Sequence, residues 1–214
     1  MTATVTRPAL RAALLAALVV AAAPALAQSP VQKVQLVPAD TLTSLPWQTL
    51  ATEAKDDTLH PRLPDANELA FAVDAKGGRV WFRVTSHRPL PERFFGINVA
   101  IDHDGDPNNG LAWWGTNKFK LDRLASAYLF RAEGYWQGVL GVADGEHAGR
   151  FEFTNLSQDA QAALDRERQT IFLGVPRAML GSAPTVRVIA TVGSMAVNND
   201  DIPNEGALTV KLTP

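Results

Sequence analysis

The chain has 214 residues, with 20 lysines and arginines against 22 aspartates and glutamates, and a formal net charge of −2. Because the basic residues form no block, the sequence argues against nucleic acid as a partner. The chain has no cysteine, which excludes disulfide bonds, lipid attachment at a cysteine and covalent c-type haem.

Residues 1–27 have the pattern of an export signal. Arg7 and Arg11 precede an apolar run over residues 12–23, and Ala25-Leu26-Ala27 is a small-x-small cleavage site. A membrane anchor is the alternative, but about 12 apolar residues are too few to cross ~30 Å of hydrocarbon. The sequence therefore predicts cleavage near Ala27, no transmembrane anchor in the mature chain, and a periplasmic or extracellular location.

The next residues, 28–46, are polar and interrupted by prolines, which predicts a tether or an edge strand. Residues 47–214 are then expected to form one domain. Larger apolar residues fall at every second position over Leu69–Val73 and again over Val80–Val84, on either side of Lys76-Gly77-Gly78, which predicts a hairpin. Phe95–Ile101 alternates in the same way and predicts a strand with one buried face. Further extended segments are predicted over residues 119–130 (one strand or two), 135–142, 151–153, 171–175, 186–192 and 208–212.

One helix is predicted, over Ser157–Arg168, from a serine cap followed by alanines, a leucine and mixed charges. About nine strands with this single short helix, and no regular alternation of strand and helix, predict an all-β fold. The expected architecture is an antiparallel β-sandwich.

The predicted strand 95–101 runs directly into an acidic loop. Asp102, Asp104 and Asp106 occupy every second position, and Asn108 continues the spacing. Hard oxygen ligands on a Gly/Asn loop are suited to calcium, which accepts six to eight oxygens. The loop is not an EF-hand, because Pro107 replaces the glycine of the sharp turn and a strand precedes it. The alternative is a plain turn, since Asp, Asn and Gly are common turn residues.

A second acidic group, Asn199-Asp200-Asp201, lies in a predicted loop over residues 198–206. Asp200 and Asp201 are candidates for the ligands that the first loop lacks. The alternative is again a solvated turn. Asp122 is interpreted as a surface or hydrogen-bonding residue.

Several segments together resemble a known family: INVAIDHDGDPNNG, the Trp-Trp-Gly after it, FKLDRLASAYLF, YWQG and NNDDIPNEGALTVKL. They resemble the family 9 carbohydrate-binding modules and the wider DOMON-like group of extracellular β-sandwiches, over roughly Trp47 to Leu212. The resemblance implies a jelly-roll-like sandwich with structural calcium. It also implies sugar binding, as in many members, or haem binding, as in a few.

Aromatic side chains beside polar groups are the candidates for sugar binding, because C–H bonds of a sugar ring pack on aromatic faces. The candidates are Trp81, Trp113, Trp114, Tyr135 and Trp136. The alternative for each is burial in the sandwich core. If residues 113–114 are extended, one tryptophan faces the core and the other faces solvent.

Catalytic motifs are absent from the sequence: it has no Gly-x-Ser-x-Gly elbow, no His-Glu-x-x-His and no phosphate-binding glycine loop. The four histidines show no ligand spacing, and a carboxylate pair from distant strands would leave no spacing signal. Met179 and Met195 are the candidate methionine ligands for haem, although a lone Met is more often core filler.

The sequence thus predicts an exported, non-catalytic carbohydrate-binding module with structural calcium that fixes the acidic loop beside Trp113 and Trp114. The alternatives are a secreted or periplasmic glycoside hydrolase or lyase, and a haem-binding sandwich.

Overall fold

The computed structural model describes residues 31–92, 94–106, 108–113, 119–144, 159–194 and 197–213. The predicted signal at 1–27, the predicted strand at 151–153 and Trp114 lie outside the described residues. Fourteen strands are present within them. They are β1 (Gln32–Val34), β2 (Gln48–Thr52), β3 (Ala66–Asp74), β4 (Arg79–Ser86), β5 (Phe95–Asp102), β6 (Leu111–Ala112), β7 (Lys120–Leu121), β8 (Arg123–Ala132), β9 (Tyr135–Asp144), β10 (Gln161–Asp165), β11 (Thr170–Pro176), β12 (Thr185–Ser194), β13 (Val197–Ile202) and β14 (Leu208–Lys211).

The strands form two antiparallel sheets and one small hairpin. The larger sheet has the order β1-β9-β8-β5-β12-β13, and β14 also pairs with β12. The smaller sheet has the order β10-β11-β4-β3-β2, and β6 pairs with β7. Short 3₁₀ helices cover Ala39–Leu42 and Arg177–Leu180. The prediction of an all-β antiparallel sandwich is confirmed. The predicted number of about nine strands is too low, because the fourteen described strands include several of only two to five residues.

The main core lies between the two sheets and is built from alternate residues of each strand. It includes Phe71 and Phe82 from the smaller sheet and Ile97, Leu129 and Val188 from the larger one. Large apolar side chains buried from both sheets supply the main driving force for the packing.

Strand β5 is buried on both faces, whereas the sequence predicted one buried face. Every residue from Phe95 to Asp102 is buried. On the side away from the main core, Ala100 packs in a second cluster with Trp113, Phe119 and Leu121. The described residues 111–113 and 119–121 therefore cover part of the outer face of the larger sheet.

The predicted helix over Ser157–Arg168 is wrong for the described part of that segment. Gln161–Asp165 is strand β10, which pairs along its length with β11. Ala162 faces the main core, while Ala163 packs against Trp81 and Phe172 on the other face. Helix propensity is a weak preference, and pairing with two covered faces overrides it here.

Two further segments form the edges of the larger sheet. In the segment 28–46, β1 pairs with β9 at the edge of the larger sheet, and a 3₁₀ helix follows it. The loop predicted at 198–206 is instead partly strand, because β13 pairs with β12 through Asp200 and Asp201. Among the described residues, no helix has the length and apolar character that crossing a bilayer requires.

Candidate metal and ligand sites

The first acid of the predicted calcium loop, Asp102, is engaged by the protein itself. Its side chain is buried at the end of β5. Oδ1 accepts a hydrogen bond from the Gly105 amide at 2.7 Å, and Oδ2 accepts one from Arg187 Nη1 at 3.2 Å. A guanidinium therefore supplies the positive charge that a buried carboxylate requires.

The other predicted ligands of this loop form hydrogen bonds within it. The Asp106 amide donates to Asp104 Oδ1 and the Asn108 amide donates to Asp106 Oδ1, each at 2.8 Å. Asn109 Nδ2 donates to Asp104 Oδ2 at 2.8 Å, and Lys120 Nζ donates to the Asn108 carbonyl at 2.9 Å. The Asp106 amide and the Asn109 side chain hold the pKa of Asp104 below its ordinary value. The two bonds from backbone amides to Asp104 and Asp106 are those of Asx turns.

Within the described residues, Asp102, Asp104 and Asp106 do not form a common set of converging carboxylates. Asp104 instead lies with His103 and Asp122, with ligand atoms within 4.8 Å of one another. Asp122 Oδ2 already accepts the His103 amide at 2.9 Å and lies 3.4 Å from His103 Nδ1. The loop thus presents its oxygens in several directions, and calcium binding there stays a prediction.

Asp200 and Asp201 are neighbours on β13, so their side chains point to opposite sides of the sheet. Asp201 faces the outer side, where its Oδ2 accepts a hydrogen bond from Trp113 Nε1 at 3.0 Å. Burial raises the pKa of Asp201. Asp200 faces the smaller sheet, where its Oδ2 accepts the Ala66 amide at 2.6 Å. The two aspartates therefore cannot serve one site together.

Asp200 meets two acids that the sequence analysis did not select. One carboxylate oxygen each from Asp57, Asp65 and Asp200 lies within 4.8 Å of the other two. We call these three residues the inter-sheet acidic cluster. Asp57 is exposed, whereas Asp65 and Asp200 are only 0% and 4% exposed. Asp57 and Asp65 were missed because nothing in their local spacing marks them. They come close to Asp200 only because β13 packs beside β3.

Two of the predicted sugar platforms are buried. Trp81 is 2% exposed and lies under the 3₁₀ helix with Leu42 and Phe172, away from the main core as its strand position predicts. Trp113 is 5% exposed and is fixed by Asp201 and by its amide bond to the Phe119 carbonyl at 2.7 Å. Neither ring offers an open face for a sugar.

Tyr135 and Trp136 begin strand β9. Tyr135 is exposed, as a platform requires, whereas Trp136 is half-buried and packs against the main core. Tyr135 is 36% exposed, and its hydroxyl accepts a hydrogen bond from Gln137 Nε2 at 2.7 Å. Phe94, which the sequence analysis did not select, is 53% exposed and stacks on Phe130 with ring centroids 5.3 Å apart. Since Phe130 pairs with Gln137 in the β8–β9 register, these rings form one surface. We call Phe94, Phe130, Tyr135, Trp136 and Gln137 the hairpin end.

Two clefts flank Trp136 at the hairpin end. One, of about 650 Å³, is lined by Glu92, Arg131, Ala132, Glu133, Trp136 and Arg166. The other, of about 630 Å³, is lined by Lys33, Val34, Gln35, Leu36, Tyr135 and Trp136. A third cleft of about 580 Å³ lies beside the acidic loop, and the described residues that line it include the imidazole of His103 but no phenylalanine, tyrosine or tryptophan. Among the described residues, large aromatic rings and charged groups are therefore combined at the hairpin end and not at the acidic loop.

Comparison of the chain with protein-family models, with curated proteins and with solved structures found no match. The resemblance to family 9 carbohydrate-binding modules and DOMON-like domains accordingly stays a prediction, and the functional argument depends on the geometry of the chain itself.

Proposed function

We propose that this chain is an exported, non-catalytic β-sandwich that binds a carbohydrate at the hairpin end. One observation carries the proposal. The large hydrophobic side chains exposed in the described part of the chain are Leu59, Phe94 and Tyr135, and both aromatic ones belong to the hairpin end. Exposed aromatic rings next to charged clefts are the combination by which proteins hold sugars.

The outer side of the hairpin end offers both kinds of contact that a sugar needs. The rings of Phe94 and Tyr135 present apolar faces against which C–H bonds of a pyranose can pack. Gln137 and Lys33 supply hydrogen-bond donors at the same place, since Lys33 pairs with Gln137 across β1 and β9. The Lys33 ammonium lies 5.1 Å from the centroid of the Tyr135 ring. Polar groups are thus held within reach of a ligand stacked on the tyrosine.

The other side of the hairpin end provides a second wall. Trp136 packs edge-on against Phe95, with centroids 6.1 Å apart, and the Arg131 guanidinium lies 5.3 Å from its ring centroid. Glu92, Glu133 and Arg166 line the same cleft. Carboxylates and guanidinium groups of this kind form paired hydrogen bonds with sugar hydroxyls. A chain of several sugar units would extend from one cleft to the other across Trp136.

The proposal is tested by affinity electrophoresis of the mature protein against a panel of neutral and acidic polysaccharides. Tyr135→Ala and Phe94→Ala should each weaken binding about tenfold, as expected when one stacked ring is lost. Leu59→Ala is the matched control, because it removes an exposed apolar side chain that lines neither cleft of the hairpin end. It should bind as the unmodified protein does.

Retardation that is unchanged in both aromatic variants, or that is lost equally in Leu59→Ala, would contradict the proposal. Release of reducing ends or of unsaturated products from any polysaccharide would instead identify a hydrolase or a lyase. A Soret band in the purified protein would identify the haem-binding alternative.

A further inference from the structure

The inter-sheet acidic cluster joins two separate parts of the chain. Asp57 and Asp65 both lie in the connection between β2 and β3, with Asp65 immediately before β3, and Asp200 lies on β13. β13 belongs to the larger sheet and β3 to the smaller one. The bond from the Ala66 amide to Asp200 Oδ2 already links the two sheets at this point. The cluster therefore occupies a seam of the sandwich.

Two carboxylate oxygens in this seam are buried without a hydrogen-bond partner. Asp65 Oδ2 accepts the Asp56 amide at 3.1 Å and lies 3.3 Å from Arg88 Nε, but Oδ1 has no partner. Asp200 Oδ1 is likewise unpartnered. Burial of a charged oxygen without a partner is costly, so such atoms usually face a ligand, an ion or a proton. Asp201 Oδ1 is also unpartnered, but no described group of converging ligands includes Asp201.

The charge in the seam is strongly negative. Glu53 lies beside the cluster, because Asn204 Nδ2 bridges it to Asp57. Arg88 is the basic group paired with Asp65, and it also binds Asp56 Oδ1 at 2.6 Å. One shared guanidinium does not balance five carboxylates, those of the cluster together with Glu53 and Asp56.

We propose that the inter-sheet acidic cluster binds a hard divalent cation of the calcium type, which clamps the edges of the two sheets together. The converging donors are all carboxylate oxygens, which suit calcium and magnesium better than zinc. Their origin in an exposed loop, a strand start and a strand interior favours calcium, because it accepts irregular oxygen shells whereas magnesium requires a near-ideal octahedron. Asn204 Nδ2, which donates to both Glu53 Oε2 and Asp57 Oδ2 at 3.1 Å, holds the rim of the site.

The test is thermal unfolding and equilibrium dialysis of the full chain, first in EDTA and then with calcium chloride or magnesium chloride. Calcium should raise the unfolding midpoint by several degrees, since a ligand that binds the native state stabilises it. Dialysis should give one calcium ion bound at the cluster per chain. Asp57→Asn and Asp200→Asn should each weaken that binding at least tenfold. Asp57 is exposed, so its variant keeps the buried contacts of the seam and is expected to fold.

The matched controls are Asp104→Asn and Asp106→Asn in the acidic loop, which remove the same charge from exposed positions. They should keep the full calcium response. The proposal is overturned if calcium has no effect on the unmodified protein. It is equally overturned if the loop variants abolish the response while Asp57→Asn retains it. Saccharide binding is measured separately, so failure here leaves the hairpin end unaffected.

Discussion

The acidic loop at 102–109 and the inter-sheet acidic cluster gather similar numbers of carboxylates, yet their oxygens are in opposite situations. In the loop, amides and side chains within a few residues donate to Asp104 and Asp106. In the cluster, Asp65 and Asp200 each keep one buried oxygen without a partner. The loop is satisfied locally and is mostly exposed, whereas the cluster is unsatisfied and lies in a seam between sheets.

The difference shows that regular spacing and convergence are separate properties. Acids at every second position of a loop accept the amide two residues ahead, as Asp104 does from Asp106, because that spacing forms Asx turns. A cation shell requires oxygens that approach one point from several directions. In this chain such an approach is made by Asp57, Asp65 and Asp200, which come from two segments that are far apart in the sequence.

The largest effect that separates the two regions should come from their arginines. Arg88 faces Asp65, whose side chain is 0% exposed, while Arg187 faces Asp102 and is itself 43% exposed. In EDTA, Arg88→Ala should lower the thermal midpoint on the order of 10 °C, because a buried carboxylate loses its basic partner. Arg187→Ala should lower it by about 3 °C, since Asp102 keeps the Gly105 amide and water reaches the vacated site.

Calcium sharpens this first comparison. A cation in the cluster replaces part of the lost positive charge, so calcium chloride should recover part of the midpoint of Arg88→Ala and none of the midpoint of Arg187→Ala. Differential scanning fluorimetry with and without EDTA measures both. Equal losses in the two variants, with equal recovery, would show that the two acidic regions do not differ in the way described.

The next effect concerns the asparagines that brace each region. Asn199 is 2% exposed; its Oδ1 accepts the His60 amide at 2.6 Å and its Nδ2 donates to the Pro64 carbonyl at 2.7 Å. Asn199→Ala leaves both groups unpaired beside the cluster and should cost about 2 kcal/mol of unfolding free energy. Asn109→Ala removes one exposed bond to Asp104 and should change it by less than about 0.5 kcal/mol. Urea denaturation in EDTA gives both values. Similar losses of unfolding free energy in the two variants would contradict the expectation that the seam depends more on its buried asparagine than the loop depends on its exposed one.

Most of the fold could be predicted from the sequence because alternation along a strand is a local property. β3, β4, β5, β9, β11 and β12 lie where the two-residue hydrophobic period indicated. The failures occur where local preference and packing disagree. Alanines at 162 and 163 favour a helix in isolation, but they fit between β11, the main core and Trp81 as strand β10. Likewise, the acidic residues of β13 read as a loop until their pairing with β12 is known.

The site was predictable only in part for the same reason. Tyr135 and Trp136 were selected as aromatic side chains beside polar groups, and Tyr135 is exposed while Trp136 is half-buried between two clefts. Phe94 was missed because its contact with Phe130 is made between two strands and leaves no local pattern in the sequence. Asp200 was selected as a ligand that would complete the acidic loop together with Asp201. The two side chains point to opposite faces of β13, so Asp201 contacts Trp113 while Asp200 lies near Asp57 and Asp65.

A third set of polar side chains, on the outer face of the larger sheet, is buried like the cluster but has hydrogen-bond partners like the loop. Ser126 Oγ donates to Asn98 Oδ1 at 2.7 Å, and Asn98 Nδ2 donates to the Tyr128 hydroxyl. Tyr128→Phe removes one member of this network and should lower the unfolding free energy by about 1 kcal/mol at neutral pH. That loss is smaller than the loss expected from Asn199→Ala because a single neutral bond is broken.

The same variant should change the response to alkali, and this is the smallest effect. Burial raises the pKa of Tyr128 above its ordinary value, so the folded chain holds a proton that the unfolded chain releases above pH about 10. The contribution of Tyr128 to the free energy of unfolding should therefore be constant below pH about 10 and should fall as the pH rises further. Phenylalanine has no such proton to lose. The difference in unfolding free energy between Tyr128→Phe and the unmodified protein should therefore become smaller in alkali. Tyrosinate absorbance, with Tyr135→Phe as the control for the other of the two tyrosines, measures the change. If Tyr128→Phe and the unmodified protein lose stability in parallel above pH 10, Tyr128 does not hold its proton through burial and the network is more open to water than its exposure indicates.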